Sequence, residues 1–287
     1  KKCNEARNRE HKTSIDWTIL AVRLIVRWLK RSFVLIGDGG FACVRLGHAC
    51  IKNKVTLISR LRLDAALYEF APLPIQGQLG RHREKGDRVI SLKELALDKT
   101  QAWCEVDIDW YGGEKKSVSL LSGIHLWYPS GEKPLPICWV LVFDPDKNEA
   151  EAFFSTDLQL DAEQIVHFFV LRWNIEVTFE KARAHLGMET QRQWSDKAIA
   201  RTTPCLMALF SLVCLCGIEM LKSQALPILS TAWYNKKSEA TFSDILAFVR
   251  RSIWAENYFN DSSFEADSLK IKPEQWETLL DQLSRAA

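Results

Sequence analysis

Apolar residues recur at helical spacing through Trp17, Leu20, Ala21, Leu24, Ile25 and Trp28, while Arg23, Arg27, Lys30 and Arg31 occupy the other face. This pattern predicts an amphipathic helix, and Thr13 and Ser14 are its candidate caps. The run Phe33-Val34-Leu35-Ile36 is apolar without alternation, as in a strand buried on both sides in the middle of an α/β sheet, and it ends in Gly37-Asp38-Gly39-Gly40. The glycines let the backbone turn into a second helix over Phe41 to Ala49. Val55 to Leu61, β-branched and bounded by Lys54 and Arg62, reads as the next strand. Strand, helix and strand so close together form a βαβ unit, which favours a parallel pair.

The character changes at Ala71. Pro72 to Arg88 holds Pro72, Pro74, Gly77, Gly80 and Gly86 among Arg81, Arg83, Lys85 and Arg88, the composition of a loop too long for routine connection and therefore functional or disordered. Strand-like runs follow at Trp103–Trp110, Lys116–Ile124, His125–Tyr128 and Ile137–Phe143, separated by Gly112-Gly113 and Pro129-Ser130-Gly131. They predict an antiparallel sheet inserted into the α/β domain. Asp161, with Gln164 three residues on, caps a single long helix that runs to about Leu186 and stops at Gly187. Another helix starts near Ser195-Asp196 and contains the most apolar run, Cys205 to Ile218, followed by Glu219. A bilayer span needs about 20 such residues, so this run reads as a buried core helix. Amphipathic pieces lie at Phe242–Trp254 and Pro273–Leu283. The domain plan is therefore residues 1–70 as part of an α/β core with a basic helix, 71–158 as linker loop and β insertion, 159–225 as completion of the core, and 226–287 as a helical C-terminal region.

Composition narrows the function. With 287 residues, 47% hydrophobic and 26% charged, the chain has the profile of a globular protein, which excludes disorder, collagen and coiled coil as global answers. Net charge is only +2, yet residues 1–62 hold 14 Lys and Arg against 4 Asp and Glu, a surplus of +10. A basic end of this kind faces a polyanion or is simply a solvated helix. The eight cysteines show no Cys-x-x-Cys spacing, so neither a zinc site nor a disulfide framework is indicated, and they read as buried thiols of a reducing cytoplasm. The chain opens with Lys1 and its only methionines are Met188, Met207 and Met220, which favours a piece of something longer.

Two constellations carry candidate chemistry. Asp38 stands at the carboxyl end of a buried strand between glycines, where α/β folds place ligand-handling groups, or else it only caps the following helix. Phe169, Arg172, Glu176, Phe179 and Arg183 recur at spacings that place them on one face of the expected long helix. Arg172 and Glu176 are also spaced as an ordinary surface ion pair, but the aromatic residues around them leave the charges partly desolvated, where a carboxylate needs a partner such as a metal ion.

Together these features resemble insertion-sequence DDE transposases with an RNase H-like core. Asp38-Gly39-Gly40-Phe41 after an apolar strand is similar to their second carboxylate region. Phe169-x2-Arg172-x3-Glu176-x6-Arg183 is similar to their Tyr-x2-Arg-x3-Glu-x6-Lys signature around the third carboxylate. A β-rich insert between the two is found in hairpin-forming members. Arg60-Leu61-Arg62-Leu63-Asp64, Trp110-Tyr111-Gly112-Gly113 and Glu189 to Asp196 also look like this group. Phe169 stands in place of the signature Tyr, and Arg183 in place of Lys. The family's first Asp belongs on a strand well before Asp38, and Glu5, Glu10 and Asp16 do not suit that role.

The resemblance implies an α/β fold, an RNase H-like core interrupted by a β-rich insertion, with C-terminal helices. It implies DNA transposition by phosphoryl transfer on insertion-sequence ends. Two Mg²⁺ or Mn²⁺ ions, about 3.5–4 Å apart in the complete site, assist the in-line displacement, and hard ions of this kind take carboxylate oxygens. Asp38 and Glu176 are then catalytic residues and metal ligands that converge on a shared cation. Arg172, Arg183, Arg81, Arg83 and Lys85 contact DNA, the partner being double-stranded transposon ends and target, with a homodimer compatible and no membrane. Trp103, Trp110, Trp127 and Trp139 are either stacking platforms for a flipped base or core residues of the sheet. Two carboxylates do not make a three-carboxylate site, so the chain alone is expected to be inactive as an endonuclease. The alternative is a non-catalytic DNA-binding remnant that inhibits an intact transposase. A hydrolase using Asp38 lacks any Gly-x-Ser-x-Gly elbow or phosphate-binding loop ending in Lys.

Overall fold

The computed structural model describes residues 10–72, 83–98, 100–110, 115–129, 131–190, 192, 195–222, 240–259 and 273–285. Arg81 lies outside the described residues, as do Gly112-Gly113 and parts of the 189–196 motif. The chain divides into two compact units, Lys1–Trp173 and Asn174–Ala287.

In the first unit, α1 (Ser14–Leu29) begins at Thr13, whose hydroxyl accepts from the Asp16 amide while the Asp16 carboxylate accepts from the Thr13 amide. It ends at Lys30, which closes the helix in the left-handed region at φ 52°. β1 (Val34–Gly37) follows, then a single 3-10 turn over Gly39–Phe41, α2 (Val44–Lys52) and β2 (Thr56–Leu61). β1 and β2 are parallel, with Val34 opposite Thr56 and Gly37 opposite Ser59, as the βαβ pattern predicts. After the short β3 (Leu67–Tyr68) comes α3 (Leu92–Leu97), which the periodicity did not reveal because it is only six residues long.

The antiparallel strands are β4 (Cys104–Asp109), β5 (Lys115–Trp127), β6 (Leu135–Asp144) and β7 (Glu149–Ser155). They continue the β1–β2 sheet: β7 pairs antiparallel with β2, and the order is β1-β2-β7-β6-β5-β3, with β4 paired to β5. The two runs expected at 116–124 and 125–128 are one strand. Gly123 at their junction lies opposite Trp139, whose ring occupies the space a Cβ would fill, 2.8 Å away.

Period-two alternation divides the sheet into two apolar faces. Leu57, Leu61, Leu135, Ile137, Trp139, Leu141, Ala152 and Phe154 face α1, α2 and α3, where Val22, Leu46, Cys50 and Leu92 meet them. Ile58, Val118, Leu120, Val140, Val142 and Phe153 face α4 (Ala162–Leu171), which contributes Ile165, Val166 and Phe169. Helices on both faces of one sheet make a three-layer α/β unit. Phe153 and Phe154 are 1% and 0% exposed on opposite faces. Burial of each stabilises the fold by about 1.5–3 kcal/mol.

The expected long helix is two helices, which corrects the sequence reading. α4 tightens at its end, where the amides of Arg172 and Trp173 bond the carbonyls of Phe169 and Val170 three residues back, and α5 (Asn174–Leu186) starts afresh. The reason is local: Trp173, Asn174, Ile175, Val177 and Thr178 are all weak helix formers.

The second unit contains α5, α6 (Asp196–Leu221), α7 (Phe242–Phe259) and α8 (Pro273–Arg285). Ser195 caps α6 through the Ala198 amide. Phe210, Val213 and Cys214 pack with Leu186, Phe242, Ile245 and Leu246, and Arg251 of α7 pairs with Glu277 and with Asp281 of α8 at 3.0 Å. α6 corrects another expectation. It is not a buried core helix: Leu209, Leu212, Leu215, Ile218 and Leu221 are exposed. By length and composition alone it is also long and apolar enough to cross a membrane. Nor are all the thiols buried, since Cys50 and Cys138 are but Cys104 and Cys205 are exposed. Burial pushes the Cys50 thiol up to about 11, so it stays protonated and unreactive.

Candidate active-site cleft

The charged cleft arises where the α4 face of the sheet runs out from under its helix. Along each strand the same-face residues change from apolar to charged toward one end: Ile36 to Asp38, Ile58 to Arg60, Phe153 to Glu151 and Glu149, Val142 to Asp144, and Val118 to Lys116. The result is a cavity of about 280 Å³, lined among others by Asp38, Arg60, Asp144, Lys147, Glu151 and Arg172, with Val118 and Val142 beneath it.

Asp38 is positioned by three contacts of different origin. The parallel β1–β2 pairing brings Ser59, fully buried, below the turn, and its hydroxyl donates to the Asp38 carbonyl at 2.6 Å. The Asp38 side chain caps the 3-10 turn, accepting from the Gly40 amide at 2.9 Å. Gly37 is required for the same turn, because a Cβ there would stand 2.7 Å from Phe41 Cβ. Asp38 therefore does cap, but it caps the 3-10 turn and not the following helix α2. One oxygen of an exposed carboxylate is thereby oriented in the cleft.

Around Asp38 the charges are mostly paired. Arg60 bonds Glu151 at 2.8 Å across the β2–β7 pair. Lys116 bonds Asp144 at 2.5 Å, both side chains being largely shielded from water. Burial is the largest influence on Asp144 and would raise its pKa. The Lys116 hydrogen bond and charge, with the amides of Asp146 and Lys147, outweigh it and hold the carboxyl below its usual range. Lys116 also lies 5.7 Å from the ring of Trp110, which lines the cleft. Arg172 enters from the end of α4, its guanidinium 5.8 Å from the ring of Phe169, and Phe169 is itself packed on Phe153 at 4.3 Å. Phe169 is 7% exposed, which explains why a residue without a hydroxyl serves at this position: it is core.

The other sequence candidates are distributed as follows. Glu176 is exposed in the first turn of α5, and Arg183 bonds both oxygens of Glu189 at 3.3 Å, both within the second unit. Arg83 is exposed. Lys85 is half-buried, with its ammonium 3.5 Å from the ring of Tyr68 and 3.9 Å from that of Tyr128. Trp139 is a core residue, its indole donating to His125 Nδ1 at 2.8 Å, and Trp127 packs on Phe154. Arg60, Asp144 and Glu151 were not singled out individually by sequence. The signal for them was a charge at every second position after an apolar same-face residue, as in Glu149-Ala150-Glu151-Ala152-Phe153.

As a cation site the cleft offers hard carboxylate oxygens, the right donor type for Mg²⁺ or Mn²⁺. Among the described residues, however, no three Asp, Glu, His or Cys side chains come together as a metal cluster. Glu151 and Asp144 are engaged by Arg60 and Lys116, while neither Asp38 nor Glu149 forms an ion pair among the described residues.

Residues 11–202, about two thirds of the chain, match the family described as transposase DDE domain. The comparison with curated proteins gives no match. The chain belongs to the transposase DDE domain family, and its mixed α/β sheet with flanking helices is consistent with the RNase H-like fold of that family. Its general function is that of a transposase, which implies DNA binding, and such domains generally use divalent metal ions.

Proposed function

We propose that the cleft around Asp38 is the phosphoryl-transfer site of this transposase, acting on DNA strands at insertion-sequence ends. The observation that carries this reading is the position of Asp38. It lies at the carboxyl end of β1 with its carboxylate oriented by Gly40, in one cavity with Arg60, Lys147 and Arg172. A phosphodiester brought to this cavity meets guanidinium and ammonium donors, and Arg172, steadied by Phe169, offers the planar fork that suits phosphate oxygens. Asp38 and Glu176 are the proposed carboxylates for Mg²⁺ or Mn²⁺, which when bound activates the attacking oxygen and neutralises the leaving one. Arg183, Arg81 and Arg83 are the proposed further DNA contacts, with Lys85 contributing mainly by holding its loop.

The reading includes inactivity of residues 1–287 in DNA cleavage, because Asp38 and Glu176 provide two carboxylates where the family's reaction uses three. The full chain can test both parts through Mn²⁺ binding, followed by electron paramagnetic resonance, and through duplex DNA binding, followed by fluorescence anisotropy. The expected results are Mn²⁺ binding weakened by Asp38→Asn and by Glu176→Gln, and DNA affinity that falls steeply with salt. Mn²⁺ binding indifferent to both substitutions, with DNA binding retained, would favour the non-catalytic inhibitor. Nicking of supercoiled DNA by this chain in Mg²⁺, abolished by Asp38→Ala, would overturn the inactivity.

A further inference from the structure

We propose that the outward face of α1 docks on an anionic lipid surface, such as a bilayer containing phosphatidylglycerol. The inference is independent of the reading of the cleft, which lies on the other face of the sheet.

The apolar stripe that periodicity singles out on α1 is not the one that packs on the sheet. Val22 is buried, and Ile15, Ile19 and Val26 pack beside it in the core. Trp17, Ala21, Leu24 and Trp28 are exposed instead, Trp17 by 61%, Leu24 by 45% and Trp28 by 72%. At 100° per residue these four fall within about 60° of arc, and at 1.5 Å per residue the ridge is about 16 Å long. α1 is therefore apolar on two sides, and packing within the unit accounts for one of them. A contiguous exposed ridge with two indoles marks an interaction surface.

The charges beside the ridge decide the partner. Arg23, Arg27, Lys30 and Arg31 are exposed, and the one carboxylate in residues 14–31, Asp16, is already held by Thr13 and Arg45. The Lys12 ammonium stands 5.2 Å from the Trp17 ring at the start of the ridge. An apolar strip with tryptophans, bordered by cations, fits an anionic bilayer. Acyl chains take Trp17, Ala21, Leu24 and Trp28 together, while the guanidinium and ammonium groups reach the phosphate headgroups. A single nucleic acid strand suits the ridge less well. Such a strand wants a charged groove along its backbone and neighbouring rings for successive bases. Here Ala21 and Leu24 separate the two indoles, and Arg27 lies about 80° round the helix from Trp17.

Flotation of the full chain with vesicles tests the inference. The expected result is partitioning onto mixed phosphatidylcholine–phosphatidylglycerol vesicles, weakened by salt and far stronger than onto phosphatidylcholine alone. Trp28→Ser should lower the partition coefficient roughly tenfold and Arg27→Ser roughly fivefold, with far-UV circular dichroism unchanged, because both side chains lie outside the core. Leu215→Ser, at an exposed position of α6, should leave partitioning unchanged. A chain that ignores anionic vesicles, or that takes both vesicle types equally, would overturn the inference. So would partitioning indifferent to Trp28→Ser or to Arg27→Ser, or partitioning that Leu215→Ser removes. It is equally overturned if a single-stranded oligonucleotide, and not the vesicle, is the ligand whose binding the two α1 substitutions weaken.

Discussion

The hydroxyl of Ser59 donates to the carbonyl of Asp38 at 2.6 Å, across the parallel pair in which Gly37 faces Ser59. This bond ties the turn that carries the cleft's exposed carboxylate to the buried centre of β2. Ser59→Ala should cost about 1 kcal/mol of stability, read by urea denaturation. It should also weaken Mn²⁺ binding, whereas Ser→Ala at exposed Ser117 should leave that binding unchanged.

Lys116 and Asp144 form a shielded pair at one edge of the cleft. Lys116→Met leaves the carboxylate without its main counter-charge and should destabilise the fold by about 1–2 kcal/mol at neutral pH. The pH dependence follows from the lowered pKa of Asp144. In the parent chain the pair's contribution is present above the ordinary aspartate value and is lost as pH falls through the depressed folded value. In Lys116→Met burial dominates and raises the pKa instead, so Asp144 protonates at higher pH. Thermal midpoints measured across the acid range should show the variant's deficit shrinking as pH falls.

A separate acid response belongs to α1. The Asp16 carboxylate is held down to about 2, chiefly by the Thr13 hydroxyl and amide and then by Arg45. Its stabilising effect is present above pH 3.8 and fades as pH approaches 2, and Asp16→Asn should remove that acid-side dependence. Circular dichroism of the two proteins during acid titration distinguishes them.

Trp139 is fixed by its hydrogen bond to His125 and by the absence of a side chain at Gly123. Gly123→Ala puts a methyl 2.8 Å from the indole and should destabilise the sheet by about 1–3 kcal/mol, read as a lower denaturation midpoint.

Lys85 and Arg83 should separate in DNA binding. Lys85 rests on Tyr68 and Tyr128, so Lys85→Ala should lower stability by about 1 kcal/mol and leave the salt dependence of DNA affinity nearly unchanged. Arg83→Ala should reduce that slope by roughly one and leave stability unchanged. Anisotropy titrations at several salt concentrations provide both slopes.

Local patterns in the chain were sufficient for the first βαβ unit. Thr13 caps the helix together with Asp16 rather than Ser14, and Asp38 follows β1 in a turn as expected, whereas Val34, Leu35 and Ile36 are half-buried in a strand at the end of the described strand order and not in its middle. These features depend on contacts within a few residues, so periodicity and capping chemistry decide them. The family resemblance was legible for the same reason, since it rests on short motifs around Asp38 and Glu176.

Tertiary structure decided the rest. Whether β7 would pair with β2 and merge all strands into one sheet depends on contacts between residues far apart in sequence, such as Ser59 opposite Phe154 and Leu61 opposite Ala152. The end of α4 at Arg172–Trp173 bears no glycine or proline, and only the competition between packing on Phe153 and a run of weak helix formers sets it there. The exposed stripe of α6 was indistinguishable by composition from a buried core, because apolarity records what a side chain avoids and not which partner removes it from water. Sequence alone determined the carboxylate at the end of β1; the cleft around it exists because the sheet brings Arg60, Asp144 and Glu151 to the same end of the same face.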